Sequence, residues 1–163
     1  MKIKKSILKF SLFLCILTIG IGCDQTTKEI AKTQLAYQAP VKYYEGLFTL
    51  TYYENTGAFL GMGEQLSPFI KLLLLILLPF IILLISTFHI FKNQFSGLYF
   101  LGFSLLIVGG LGNLIDRWMD GFVVDFMHIR LMDTVKTGVF NFADVYITVG
   151  VILLFIYFWK YEK

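Results

Sequence analysis

Apolar and polar positions divide the chain into four long apolar runs joined by polar connections of unequal length. The runs are Ser6–Cys23, Phe69–Phe91, Leu98–Ile115 and Phe142–Trp159, each close to the ~20 apolar residues that a helix needs to cross a bilayer core. The pattern predicts four membrane helices. Between the first two runs the period changes: in GLFTLTYYENTGAFLG, Gly46–Gly61, the residues Leu47, Thr49, Thr51 and Tyr53 alternate with Phe48, Leu50 and Tyr52. Alternation of this kind predicts strand, ended by the turn-forming Asn55, Thr56 and Gly57. The stretch from Asp24 up to this segment reads as a polar, helical start. The strand reads either as a short sheet with its apolar face on the membrane surface or as a plain connecting hairpin.

Composition supports the membrane reading. The 163 residues are 57% hydrophobic and 15% charged, with a mean hydropathy of +0.74, outside the range of an ordinary soluble domain. No Gly/Ser- or Pro-rich linker and no repeat interrupts the chain, so residues 1–163 are read as one integral-membrane domain. Cys15 and Cys23 fall in the first run with no disulfide or metal spacing. A net charge of +3 with dispersed lysines excludes a nucleic-acid patch.

The distribution of charge gives an orientation. Lys2, Lys4, Lys5, Lys9, Lys92, Lys160 and Lys163 lie at one set of helix ends, which the positive-inside tendency makes cytoplasmic, together with both termini. Asp24, Glu29, Glu45, Glu54, Glu64, Asp116, Asp120, Asp125, Asp133 and Asp144 lie at or beyond the other ends, leaving only Glu162 inside. A carboxylate at a membrane boundary is costly unless it is solvated, paired or used, so the outer boundary is where chemistry is expected.

Three acidic motifs stand there. In VGGLGNLIDRWMDGFVVDF, Asn113, Asp116 and Arg117 share a helix face by their i, i+3, i+4 spacing, and Gly109, Gly110 and Gly112 admit a close neighbour. Asp116 and Arg117 read as site residues or as an ion pair anchoring the helix end. Asp125 sits in the apolar FVVDF, as a desolvated carboxyl or as a turn or cap residue. Asp144 follows Asn141 by three, which is also capping-box spacing. Two aspartates in apolar surroundings at one membrane depth permit a shared proton: one carboxyl protonated, the other a base that activates water against a peptide carbonyl. His89 lies at the cytoplasmic end, and His128 reads as a structural loop histidine. No serine or cysteine has a placed base, and no cluster has metal-ligand spacing.

Five motifs together resemble the ordered set of the lipoprotein signal peptidase family, signal peptidase II. They are DQTTK at Asp24–Lys28, ENTGAFLG at Glu54–Gly61, GGLGNLIDR at Gly109–Arg117, VVDF at Val123–Phe126 and FNFAD at Phe140–Asp144. The resemblance spans nearly the whole chain. It implies an all-α membrane protein with four transmembrane helices, a small extracytoplasmic β-cradle and a short outer helix. It implies an aspartic endopeptidase of the bacterial inner membrane that needs no cofactor and acts as a monomer amid membrane lipid. Its substrate would be a diacylglyceryl-modified prolipoprotein, cut on the amino side of the lipidated cysteine. Asp125 and Asp144 would be the catalytic pair. Asp24, Lys28, Asn55, Gly57, Asn113, Asp116, Arg117 and Asn141 would shape the site or hold substrate backbone. From the same placement, the Gly46–Gly61 region is expected to form a lid hinged at Gly57, Gly61 and Gly63.

The run ending in IGIGCD also mimics the signal that such an enzyme cuts, with lysines, an apolar stretch and Gly22-Cys23. Gly20 stands where a leucine is usual three residues before the cysteine, and the segment is long enough to span, so it is read as the first membrane helix. Readings from other classes are a small transporter or channel subunit using its outer acids for cations or protons, and an assembly protein whose polar residues join helices.

Overall fold

The computed structural model describes residues 2–58, 61–92, 97–131 and 136–161; Asp133 and Glu162 of the acids above, and residues 59 and 60 of the expected lid, lie outside them. Among the described residues, four helices are long and apolar enough to cross a membrane: α1 (Lys2–Leu35), α2 (Pro68–Lys92), α3 (Gly97–Met119) and α4 (Phe142–Tyr161). Strands β1 (Val41–Tyr43), β2 (Phe48–Asn55) and β3 (Val123–Ile129) form an antiparallel sheet in that order. Side chains such as Phe10, Ile19, Phe69, Phe88 and Phe155 are exposed on the outside of the bundle, as lipid-facing surfaces require. Inside it, Phe13, Leu83, Ile90, Phe100 and Ile107 join α1, α2 and α3.

Helix α1 is longer than its apolar run. Its 34 residues amount to ~51 Å, against a hydrocarbon core of ~30 Å. No Gly or Pro interrupts DQTTKEIAKTQL, and the hydroxyls of Thr27 and Thr33 bond back to carbonyls three and four residues earlier, so these residues are satisfied within the helix. The helix passes through Cys23 unbroken, consistent with a membrane helix at this segment. It stops where Tyr37 turns to φ +62° and the Gln38 N–H bonds back to the Leu35 carbonyl at 3.1 Å. The extension of α1 beyond Cys23 supplies the helical structure beside the sheet.

Helix α2 starts at Ser67, whose hydroxyl accepts the Ile70 N–H, followed by Pro68 at the first helical position. A second proline, Pro79, lies inside the helix and has no N–H to donate. The turn before it, Leu72–Leu77, widens into a π-helix, with the Leu78 N–H bonded to the Leu73 carbonyl.

The segment containing FVVDF is a strand, not a turn beyond a helix end, and it carries His128 as well as Asp125. It pairs along β2, from Phe48 opposite Ile129 to Asn55 opposite Val123, with one extra residue on β2 between Leu50 and Tyr53. That bulge sets Tyr53 opposite Asp125, so Asn55 becomes the diagonal neighbour of Asp125 on the same face. The apolar side of the sheet, Phe48, Leu50 and Tyr52, does not rest on a membrane surface. It packs with Val124, Phe126 and Met127 on Ala31 and Leu35 of α1 and Phe142 and Val145 of α4.

Helices α3 and α4 touch backbone to backbone. A Cβ on Gly109 would collide with the Ala143 carbonyl, and one on Gly150 would stand 2.8 Å from the Gly102 carbonyl, so both positions need glycine for this approach. The polar centre of the bundle is built on Lys28. Its Nζ reaches Asp24 Oδ2 at 2.8 Å, Asp116 Oδ2 at 2.9 Å and Asn113 Oδ1 at 3.0 Å, using all three ammonium donors. The alternative pairing of Asp116 with Arg117 does not occur, because Lys28 takes that carboxylate.

Removing the cation would leave two buried carboxylates uncompensated. Lys28→Met is expected to lower stability by about 3–5 kcal/mol, read as a drop in melting temperature in detergent micelles. An unchanged melting temperature would show that this ion cluster does not hold the bundle.

Candidate active site

Each of the two acids singled out above is placed by an adjacent backbone amide bound to this cluster. Asp24 Oδ1 accepts the N–H of Ala143 at 2.9 Å, next to Asp144 in the first turn of α4. Asp116 Oδ2 accepts the N–H of Val124 at 3.3 Å, next to Asp125 on β3. Lys28 bridges Asp24 and Asp116, so one cation fixes the start of a helix relative to a strand. Gln25 adds to this: its amide donates to Asp116 Oδ1 at 2.8 Å and, at 3.3 Å each, to Asp24 Oδ2 and the Gly112 carbonyl. A side chain at Gly112 would stand 2.5 Å from Asp24 Oδ2, so the glycine leaves room for that carboxylate.

Asn141 joins the two acids. Its side-chain amide donates to Asp125 Oδ1 at 2.6 Å, while its backbone N–H donates to Asp144 Oδ2 at 3.1 Å. Its side-chain Oδ1 accepts the Asp144 N–H at 3.0 Å. The reciprocal pair of bonds is the capping box that the sequence spacing allowed; the same residues thus begin α4 and build the site. Asn113 completes the link, with Nδ2 donating to Asp144 Oδ1 at 2.9 Å and Oδ1 accepting from both Lys28 and Asn141.

The second oxygen of Asp125 accepts the Asn55 amide at 3.0 Å. Asn55 is held in turn, donating to the Ala58 carbonyl and accepting the Gly57 N–H at 3.0 Å. Arg117 closes this side, its Nη2 donating to the Gly57 carbonyl at 2.8 Å. Any side chain on Gly57 would stand 2.6 Å from the Met62 carbonyl. The glycine is therefore needed for close approach, whereas Gly61 and Gly63 are the ones in the left-handed region, at φ +74° and +81°. Lys71 ties the turn to α2 by donating to the Thr56 hydroxyl at 3.2 Å.

A cavity of about 590 Å³ opens beside the acids. Asp125, Asp144, Asn55, Asn113 and Arg117 line its polar end, and Leu74 and Leu75 of the widened turn in α2, with Pro79 just after it, line its apolar wall. Asp125 is 1% exposed. Burial, reinforced by the charge of Asp144, raises its carboxyl from an ordinary 3.8 to about 7, against the lowering effect of the Asn55 and Asn141 amides. The Nε of Arg117 is shielded from solvent and lacks a hydrogen-bond partner among the described residues.

All ten residues expected at the site meet in one network: Asp24, Lys28, Asn55, Gly57, Asn113, Asp116, Arg117, Asp125, Asn141 and Asp144. Gln25 was not among them, although the helical spacing of Asp24, Gln25 and Lys28 places them on neighbouring faces of α1. The backbone amides of Val124 and Ala143 carry no side-chain signal and become visible only in three dimensions. His89 packs against Tyr99 and Phe103, away from the acids.

The family model described as signal peptidase (SPase) II matches residues 16–160. A lipoprotein signal peptidase of Streptococcus thermophilus (strain CNRZ 1066) is 34% identical over 144 residues, covering 88% of this chain and 89% of that protein. One from Lactococcus lactis subsp. cremoris (strain MG1363) is 34% identical over 149 residues, covering 91% and 94%. A solved bacterial membrane enzyme structure, determined in meso at 2.3 Å resolution, superposes with a TM-score of 0.80 at 30% identity over 92% of this chain and 88% of that one. A second, at 1.9 Å resolution, gives 0.79 at 29% identity over 93% and 94%. None of these relatives is a transporter, a channel or an assembly protein. A match of this extent, on a chain whose expected site residues all converge, places the chain in the signal peptidase II family.

Proposed function

We propose that Asp125 and Asp144 are the catalytic pair of an aspartic endopeptidase that removes signal peptides from diacylglyceryl-modified prolipoproteins on the amino side of the lipidated cysteine. Family membership supports signal-peptide removal from prolipoproteins by a multi-pass protein of the bacterial cytoplasmic membrane. The observation that carries the catalytic assignment is the joining of two carboxyl groups through Asn141 at the polar end of a cavity with an apolar wall. In this reading the sheet lies on the outer side of the membrane and both termini lie inside, following the charge asymmetry.

Below about pH 7 Asp125 holds a proton, so Asp144 is the base. Asp144 takes a proton from water, the oxygen bonds to the scissile carbonyl carbon, and the Asp125 proton passes to the carbonyl oxygen to give a gem-diol. Collapse returns a hydroxyl proton to Asp125 while Asp144 gives its proton to the departing nitrogen. The C–N bond breaks, leaving a carboxylic acid on the signal peptide and a free amine on the cysteine. Asn113 and Asn141 hold the carboxylates, and Arg117, which lines the cavity, holds substrate backbone. The cavity wall of α2 takes the apolar signal segment. In this reading the Gly46–Gly61 region is the lid, and cross-linking it closed over the site is expected to slow cleavage.

Asp125→Asn and Asp144→Asn are each expected to reduce cleavage of a purified diacylglyceryl precursor by at least ~10²–10⁴-fold while the protein still accumulates in membranes. Normal processing by either variant would refute the pair. An unmodified precursor should remain uncut by the wild type. Cleavage should also fall as pH rises through about 7, where Asp125 loses its proton. The native state binds that proton more tightly than the unfolded chain, so stability also declines as pH rises from about 4 to about 7. Melting curves of Asp125→Asn measured across that range are expected to lose this component of the decline; an unaltered slope would place the titration elsewhere.

A further inference from the structure

The polar face of the sheet carries a second pocket, of about 310 Å³, walled by Lys42, Thr49, Thr51, His128 and Arg130. Strand register builds it. Lys42 on β1 pairs with Thr49 on β2, and Thr49 pairs with His128 on β3, which sets these three side chains in one row across one face. Thr49 alternates with Phe48 and Leu50, which pack into the apolar cluster, so the row lies on the opposite side. Arg130 stands over the left-handed turn Tyr44–Gly46, its guanidinium 3.5 Å from the Glu45 carbonyl.

Three basic side chains gather here, and among the described residues none has a carboxylate within ion-pair distance. The Nδ1 of His128 is shielded from solvent and also lacks a hydrogen-bond partner among the described residues. Lys42 and Arg130, brought together with no paired carboxylate among the described residues, repel one another, and an oxyanion with several acceptor oxygens relieves that repulsion while matching lysine, arginine and hydroxyl donors. Tyr44, beside the pocket, is 82% exposed, and Tyr43 is exposed next to it. In membrane proteins tyrosine is enriched at the depth of lipid headgroups.

We propose that this pocket binds a phosphate group, supplied in the membrane by the phosphodiester of an anionic phospholipid. The pocket shares Val139 with the wall of the catalytic cavity, but Lys42 and Arg130 belong to neither the ion cluster nor the acid pair. The proposal therefore stands or falls separately from the cleavage chemistry. Bound there, a lipid headgroup would fix the height of the sheet relative to the membrane surface.

The test is native mass spectrometry of the full-length protein in nonionic detergent, titrated separately with phosphatidylglycerol and with inorganic phosphate. The expected result is saturable retention of one phosphatidylglycerol. Lys42→Ala/Arg130→Ala should raise the half-saturation concentration about 30-fold, from two cations at about 1 kcal/mol each, with the lipid-free melting temperature unchanged. Lys42→Ala alone should raise it about 5-fold, and Lys42→Arg should restore retention. Displacement of the lipid by inorganic phosphate would support the phosphate as the recognised group. Saturable phosphate binding without lipid retention would support the pocket and assign it a soluble source. Equal retention of phosphatidylglycerol by the wild type and the double variant, with no phosphate binding by either, would overturn the proposal.

Discussion

One buried ammonium group governs the geometry of this protein. Lys28 reaches two carboxylates and an amide oxygen from inside the bundle, and each carboxylate also holds a backbone N–H that precedes a site aspartate. The cluster sets two buried carboxyl groups against one ammonium, so it tolerates no loss of a donor in surroundings of low dielectric. The Ala143 N–H in the first turn of α4, the Val124 N–H and the amide of Gln25 supply the remaining compensation. Electrostatic necessity thereby becomes positional accuracy. Neither Asp125 nor Asp144 can shift without disturbing a charge that has no access to water.

The sheet and the bundle are coupled through the same device. A strand would ordinarily be a loose partner for a membrane helix, but β3 is buried throughout its first half and is anchored at its start by Asp116. Its neighbour β2 contributes Asn55 because a single bulge shifts the register at the right point. The start of α4 is as economical. Asn141 and Asp144 cap the helix, and the atoms left over from capping make the contacts to Asp125 and Asn113. Folding and the site draw on the same few polar groups, which is why both occur where apolar runs end.

Much of this was legible in the sequence because membrane solvation imposes strong rules. The four spans followed from hydrophobic length, and the acids stood out because carboxylates at a lipid boundary require an explanation. The glycines of α3 correctly signalled close packing, and the capping spacing of Asn141 and Asp144 was recognisable although its second use was not. The strand identity of Val123–Ile129 was hidden because an apolar run has no period of its own when it is buried. The pairing of Asp116 was misleading for a related reason: Arg117 is adjacent in sequence, but Lys28 arrives from another helix. The residues after Cys23 read as helical, but their continuity with the first span was hidden, because a polar run after an apolar one suits a separate short helix as well as an extension.

The unbroken course of α1 also bears on self-digestion. An enzyme of this family carries, at Gly22-Cys23, a dipeptide like the one its substrates present for cutting. Here that bond lies within a continuous helix, and the Cys23 carbonyl accepts the Thr27 hydroxyl at 2.8 Å in addition to its place in the ladder. Unwinding the segment would pull Asp24 and Lys28 out of the cluster that fixes the start of α4 against β3, so a molecule that exposed this bond would no longer hold Asp125 and Asp144 together.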